Sequence, residues 1–381
     1  MQGKDSGEKK FLGIYVHVPF CAQGCSFCGF FQQPPRRQDL DMYVETLILD
    51  MQLQEVGCRA DSIYFGGGTP SLMAEEHIFK VGEHLSINSP LQEWSIECSP
   101  VSVTAEKMEA FRRIGVTRVT LGVQSFDKEI LKIIGRQQML HQVFKAYDII
   151  RDCGFKNVGI DLIFAIPGQS FKSWETDLKT AISLSPEHIS TYNLTFEENS
   201  ELNKRLREKQ ISALCATIEV EFFMRTGDIL AQNGYNRYEV SNFSKPGFES
   251  VHNIHTWEMH DWIGYGPSAS SQFGGKRFTN VPSLKLWREG ILNGRHNRCD
   301  FQQLDEEILI QDSLIFGLRM TCGVNLQRLE KNFKNFDRMR YDNIFNFLVN
   351  SKLATFTENT LRLTTNGLLV ADAIAVEILA A

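Results

Sequence analysis

The stretch LGIYVHVPFCAQGCSFC, residues 12–28, carries two signals that together decide the architecture. Its first half is short, branched and apolar, the pattern of a strand. Its second half sets three cysteines, Cys21, Cys25 and Cys28, at spacings of four and three. A structural zinc site closes with four protein ligands, and iron–sulfur clusters are normally held by four thiolates. Three cysteines on one loop leave a position open. They could hold three irons of a [4Fe–4S] cluster, with the fourth iron free for a small molecule. The competing readings are an incomplete zinc site and unrelated thiols.

The same rhythm of strand, polar loop and helix repeats downstream. Strands are predicted over 12–18, 61–71, 93–99, 118–126, 158–168 and 188–196, with helices over 39–56, 75–85, 105–115, 141–154 and 173–185 between them. Gly115 and Gly154 close two of these helices. Six strand–helix units in series imply a parallel sheet with right-handed crossovers. Its strands are expected to be apolar on both faces. The informative polar residues fall at the C-terminal ends of different strands: the three cysteines, Gly66-Gly67-Gly68-Thr69-Pro70, Glu97, Gln124 with Ser125, Asp161, and Tyr192 with Asn193. A β/α barrel assembles its site at that rim, whereas a doubly wound nucleotide-binding sheet concentrates its signature in one crevice. The expected fold is therefore α/β, an open six-stranded partial (β/α)6 barrel over residues 1–205.

Beyond it the rhythm is lost. Residues 206–300 read as a connecting segment, with a long helix over 211–234 and an irregular aromatic stretch over 235–275. Residues 301–381 read as a smaller, mainly helical, winged-helix-like domain with a short hairpin at 353–365. That unit is taken as a packing module.

The chain has 381 residues, 43% hydrophobic and 23% charged, with a net charge of −6. That is enough for a large core. No Lys/Arg stripe forms a nucleic-acid footprint, and no stretch approaches the roughly 20 apolar residues of a transmembrane span. The polar start, MQGKDSGEKK, lacks the apolar stretch of a secretory signal, so a cytoplasmic location is expected. An odd count of nine cysteines without a signal peptide argues against a disulfide framework. Cys58, Cys98, Cys153, Cys215, Cys299 and Cys322 are scattered singly, as small buried hydrophobes are.

On the cysteine rim, the glycines of GGGT allow close backbone approach, and successive N–H groups could hold an anion. Glu97 and Asp161 could accept from ammonium or hydroxyl groups of one ligand, with Gln124 and Arg136 as further polar contacts. In HNIHTW and the residues after it, His252, His255 and His260 give three imidazoles within nine residues. Imidazole is a common axial ligand of heme iron, and an aromatic wall suits a porphyrin face.

With these residues in view, YVHVPFCAQGCSFC resembles the CxxxCxxC signature of the radical SAM superfamily. The Tyr-x-His-x-Pro-Phe lead-in, GGGTPSL, GVQSF, IGR, DLIFAIPGQ, HNIHTW and DWIGYGPSA resemble the branch containing anaerobic coproporphyrinogen oxidase and the HemW heme chaperones. The resemblance covers nearly the whole chain. It implies that Cys21, Cys25 and Cys28 ligate a [4Fe–4S] cluster whose open iron binds S-adenosylmethionine (SAM), which reduction cleaves to a 5′-deoxyadenosyl radical. It implies that Tyr15, Gly67 and Glu97 contact this SAM. Phe27, Gly68, Thr69, Gln124, Arg136 and Asp161 match positions around a second SAM in the oxidase. His252 matches the histidine of the HemW H-N-x-x-Y-W motif, connected with heme binding.

Four departures stand out. Phe30 follows Gly29 where the oxidase has a further cysteine. Thr256 replaces the motif tyrosine, Gly29 stands where HemW usually has Asp, and ECSP (97–100) stands where it usually reads E-A-N-P. The leading expectation is a HemW-like heme chaperone that binds heme, a cluster and SAM and passes heme to an unidentified acceptor protein, with a reductant serving the cluster. The alternative is a radical enzyme acting on a tetrapyrrole, by oxidative decarboxylation of coproporphyrinogen III, methylation or heme opening. A third reading is a cluster protein that binds SAM and works only as an interaction partner.

Overall fold

A computed structural model describes residues 11–54, 60–85 and 91–381; Cys58, the N-terminal decapeptide and the predicted end of the first helix lie outside the described residues. Six strands, β1 (Leu12–Val18), β2 (Ser62–Gly67), β3 (Glu93–Cys98), β4 (Arg118–Gln124), β5 (Asn157–Phe164) and β6 (His188–Asn193), each pair in parallel with the next. Parallel neighbours require a crossover. The helices α1 (Arg37–Leu53), α2 (Glu75–His84), α3 (Ala105–Ile114), α4 (Lys128–Ile133), α5 (Leu140–Asp152) and α6 (Phe171–Ser183) supply it. Local chemistry sets their ends. The Thr104 hydroxyl accepts from Lys107 N at the start of α3, and Gly115 takes the left-handed conformation after its end. The short α4 was not expected; Asp127 caps it by accepting from Glu129 N and Ile130 N.

The strands alternate instead of being apolar on both faces. Val16, Val18, Ile63, Phe65, Ile96, Val119, Leu121 and Ile160 are fully buried in one core with the helices. The intervening residues, Tyr15, His17, Tyr64, Glu97, Thr120, Gln124, Asp161 and Ser190, point to the opposite side because the side-chain period of a strand is two. The helix side is thus apolar and the inner side polar.

Residues 236–303 are more ordered than their sequence suggests. After α7 (Glu201–Arg207) and α8 (Ala216–Gln232) come β7 (Asn236–Arg237) and β8 (Asn242–Ser244), then α9 (Val251–Trp257). Strands β9 (Asp261–Tyr265), β10 (Ser270–Phe273) and β11 (Lys276–Asn280), helix α10 (Leu284–Leu292) and β12 (Arg298–Gln303) follow. Among the described residues the sheet is therefore twelve-stranded, in the order β12-β11-β10-β9-β1-β2-β3-β4-β5-β6-β8-β7. Strand β9 lies parallel to β1, and β8 antiparallel to β6. The predicted irregular stretch over 235–275 is corrected here: its strands are only two to five residues long and interrupted by Asn, Ser and Gly, too short for alternation to be read.

The last part builds a second core around Leu314, Leu318, Tyr341, Phe345, Leu361 and Ile378. It consists of α11 (Glu306–Arg319), β13 (Val324–Asn325), α12 (Leu326–Asn332), α13 (Arg338–Asn350), β14 (Ala354–Thr357), β15 (Thr360–Leu363), α14 (Thr365–Leu369) and α15 (Ala371–Ala380). The hairpin turn has both central residues, Glu358 and Asn359, at positive φ, as a two-residue hairpin demands.

One buried carboxylate ties the later strands to the barrel. Asp50 on α1 accepts from the Trp287 indole of α10 and from Gly266 N, each at 3.0 Å, and lies 3.2 Å from His296. Asp50→Ala leaves two buried donors without an acceptor and should cost about 2–4 kcal/mol, read as a lower urea midpoint. Asp50→Asn, which keeps an acceptor oxygen, should lose less than half of that; equal losses would mean that the hydrogen bonds are not what matters.

Candidate functional site

The C-terminal ends of the parallel strands open onto a cavity of about 630 Å³. Its walls carry Cys21, Cys25, Phe27, Cys28, Gly67, Gly68, Thr69, Glu97, Gln124, Arg136 and Asp161, eleven of the thirteen site residues expected from the sequence. Tyr15 lies beneath the wall, its ring beside Gly66 and Tyr64. His252 is elsewhere.

The cysteine loop is held at its neck and at its middle. Gln33 closes the neck, accepting from Cys21 N and donating to Pro19 O. Ser26 fixes the middle, giving its N–H to Ile134 O and its hydroxyl to Ile133 O while accepting from Leu202 N. The three thiols are free and half-buried. Among the described residues, the trios of ligating atoms that gather within 4.8 Å of one another include none of them. Burial pushes Cys21 up to about 11 and raises Cys28 as well. Without a cation both stay protonated, so metal uptake must release protons.

The glycine loop works differently from the anion cradle expected. Gly68 N donates to Val18 O and Thr69 N to Phe20 O, and Gly67 N reaches the Glu97 carboxylate. These amides stitch the loop to the strand below. The glycines serve close approach: a Cβ at Gly68 would stand 2.5 Å from Phe20 O, and Gly67, at φ 101°, lies directly over the His17 ring. His17 Nε2 donates to Phe31 O, so Nδ1 accepts from Tyr15. Burial keeps this imidazole neutral. His17 and Tyr64 escaped the sequence reading, although their period-two relation to Tyr15 and Gly66 was the available signal.

Two carboxyls line the same cavity as the thiols. Glu97 accepts from Tyr64 at 2.8 Å, yet burial, then the nearby Asp161 charge, pushes it up to about 7. Burial pushes Asp161 up to about 6, against the Ser190 hydroxyl and the charges of Arg118 and Arg136. The Arg136 guanidinium keeps a buried Nε with no partner among the described residues. Gln124 sits at φ 70°, where the register of β4 against β5 shifts. Ser125, expected at the rim, turns away: its hydroxyl and Phe126 N both donate to Asp177 of α6 at 2.7 Å. Three thiols, two carboxyls and a guanidinium lining one cavity suit a metal cluster beside a ligand bearing both ammonium and carboxylate groups.

His252 lies at the opposite end of the strands. Glu93 caps α9 there, accepting from Ser250 Oγ, Val251 N and His252 N. The His252 ring bonds Ser62 at 2.8 Å and packs against Gly13 and Tyr64. Burial lowers it to about 4, so it is neutral and sealed in.

Two outcomes follow. A carboxyl raised from 4.5 to about 7 binds its proton more tightly folded than unfolded, so stability falls as pH rises through that window. In the chain lacking cluster and SAM, the thermal midpoint of Glu97→Gln relative to wild type should climb from pH 5 to pH 8; a flat difference would refute the raised value. His252→Ala should lower the midpoint by several degrees through a cavity and an orphaned Ser62 hydroxyl; an unchanged midpoint would deny it a packing role.

Comparison with known proteins agrees with this geometry. The family model "Radical SAM superfamily" matches residues 15–181. The heme chaperone HemW of Lactococcus lactis subsp. lactis (strain IL1403) is 32% identical over 358 residues, 93% of both chains. That of Bacillus subtilis (strain 168) is 31% identical, covering 94% of this chain and 96% of its own. The solved structure of Escherichia coli coproporphyrinogen III oxidase (HemN), a radical SAM enzyme, shares the fold at a TM-score of 0.84 with 22% identity, over 97% of this chain and 90% of that one. A barrel with three thiols and paired carboxyls at one rim, related end to end to these proteins, places the chain in the radical SAM superfamily and, within it, in the HemW family.

Proposed function

We propose that the chain is a heme chaperone, binding heme and passing it to an acceptor protein with the support of a [4Fe–4S] cluster and SAM. The observation that carries this reading is the end-to-end similarity to HemW chaperones, 32% identity over 93% of both chains. In this reading Cys21, Cys25 and Cys28 hold the cluster, and Tyr15, Gly67 and Glu97 surround the SAM it binds. Phe27, Gly68, Thr69, Gln124, Arg136 and Asp161 line the remainder of the same cavity. Bound there, the cluster supplies one-electron reduction of SAM. The chain's own part is to position and neutralise. An ammonium or sulfonium draws Glu97 into its charged form beside Asp161, and Arg136 offers its partnerless Nε donor to a carboxylate. A reductant serves the cluster.

Heme ligation by His252 requires its ring to leave Ser62 and the Gly13 backbone, so such binding is coupled to movement of α9. Among the described residues no helix is long and apolar enough to cross a membrane; a cytoplasmic place of work and an acceptor protein complete the proposal. The competing reading, a radical enzyme acting on a tetrapyrrole, draws its support from the open cavity beside the thiols.

One anaerobic incubation separates them. Reconstituted protein should carry about four irons per chain, reduced to background by Cys25→Ala. Incubated with heme, SAM and reductant, it should retain about one intact heme per chain, transferable to an apo-heme protein. Methylated or ring-opened tetrapyrrole, formed in step with 5′-deoxyadenosine, would overturn the chaperone reading in favour of the enzyme, as would decarboxylated product when coproporphyrinogen III replaces heme.

A further inference from the structure

A second group of ligating side chains stands outside the cavity, where α9 ends. His255 Nδ1 lies 3.2 Å from Glu258 Oε2, and His260 Nε2 lies 3.5 Å from the same oxygen. All three ligating atoms fall within 4.8 Å of one another. Nitrogen and oxygen ligands on one tetrahedral zinc are about 3.4 Å apart, so the spacing already matches a metal's first shell. His255 Nδ1 is buried, with the Glu258 carboxylate as its close partner.

Backbone geometry holds the group in place. His260 N donates to His255 O, and Met259 N to Thr256 O, the paired bonds of a Schellman ending. That motif brings the side chains of its first and last residues together, and here both are histidines, with ring centroids 5.0 Å apart. Its left-handed position, normally Gly, is Met259 at φ 63°. Phe11 stacks on His255 at 3.7 Å and fixes the ring. The histidines draw Glu258 down to about 2, keeping it anionic.

We infer that His255, Glu258 and His260 form a binding site for a divalent first-row cation of the zinc type, separate from the cysteine cavity. Two imidazoles and a carboxylate are a three-ligand set that leaves a fourth position open. The other trio of this kind, Asp41, Glu76 and His77, does not qualify. His77 Nδ1 accepts from Ala74 N, so its Nε2 carries the proton donated to Asp41 and no lone pair remains.

The site shares α9 with His252 but needs neither heme nor cluster, so its test uses heme-free protein without the cysteine ligands. Full-length chain carrying Cys21→Ser, Cys25→Ser and Cys28→Ser is stripped with chelator and titrated with zinc by calorimetry. One zinc per chain is expected, with affinity at least about tenfold weaker in His260→Ala and in Glu258→Gln. Copper(II) bound to the same protein should show nitrogen coupling from two imidazoles, reduced to one in His255→Gln. Absence of zinc binding, or equal zinc affinity in parent and variants, would overturn the site. So would variants that shift only the metal-free thermal midpoint, because the trio would then be a helix-end hydrogen-bond cluster.

Discussion

The period-two geometry of a parallel strand governs this molecule. Helices on the outer face demand Val16, Ile63, Ile96, Val119 and Ile160. The alternate positions must then point inward, and the chain fills them with Tyr15, Tyr64, Glu97, Thr120 and Asp161. A fully closed barrel would pack such an interior with branched apolar side chains. Here the interior remains polar. Ser95 Oγ, Thr120 Oγ1 and two Arg118 nitrogens are buried without a protein partner among the described residues. Such groups call for ordered water or a ligand, so the scaffold that stabilises the sheet also prepares the chemistry at its end.

The rim is electrostatically unsettled in the ligand-free chain. Burial holds two carboxyls above the usual carboxylate range, and two of the thiols are also raised. Each is relieved by positive charge, whether iron beside sulfur or an ammonium beside carboxylate. Loading and cofactor binding are therefore linked to proton release through residues that line one cavity. The supporting contacts are rigid: Asp177 clamps the turn after Gln124, and the amides of Gly68 and Thr69 are committed to the backbone beneath.

Much of this was legible in the sequence because it follows from local pattern. The six parallel strands, most of their helices and the convergence of polar residues on one rim appear in hydrophobic rhythm and loop chemistry, whereas Phe27 is reached only through the family resemblance. Long-range pairing was not legible. Nothing in DWIGY announces that it lies parallel to β1, since a five-residue strand has no periodicity to distinguish it from a loop. The close approach of the glycine loop is legible, but the fate of its amides is not, because Gly68 N and Thr69 N find partners about 50 residues upstream and Gly67 N a carboxylate on β3. His252 illustrates the same limit from the other side. Its residue type suggests a ligand, and only the tertiary structure reveals Ser62 and Gly13 closing around it.

The late arrival of β9 has a consequence for how the protein is made. Strand β1 is complete at Val18, but one of its two neighbours begins at Asp261. At roughly 5–20 residues per second, a ribosome needs on the order of ten to fifty seconds to bridge that gap. Throughout it one edge of β1 presents unpaired amides and carbonyls to any strand nearby. A fragment ending near residue 205 would carry that exposed edge permanently, and would also lack the antiparallel cover that β8 gives β6. The parallel core is thus a nascent template that only the second half of its own chain can cap, which makes the molecule most vulnerable to aggregation while it is still being synthesised.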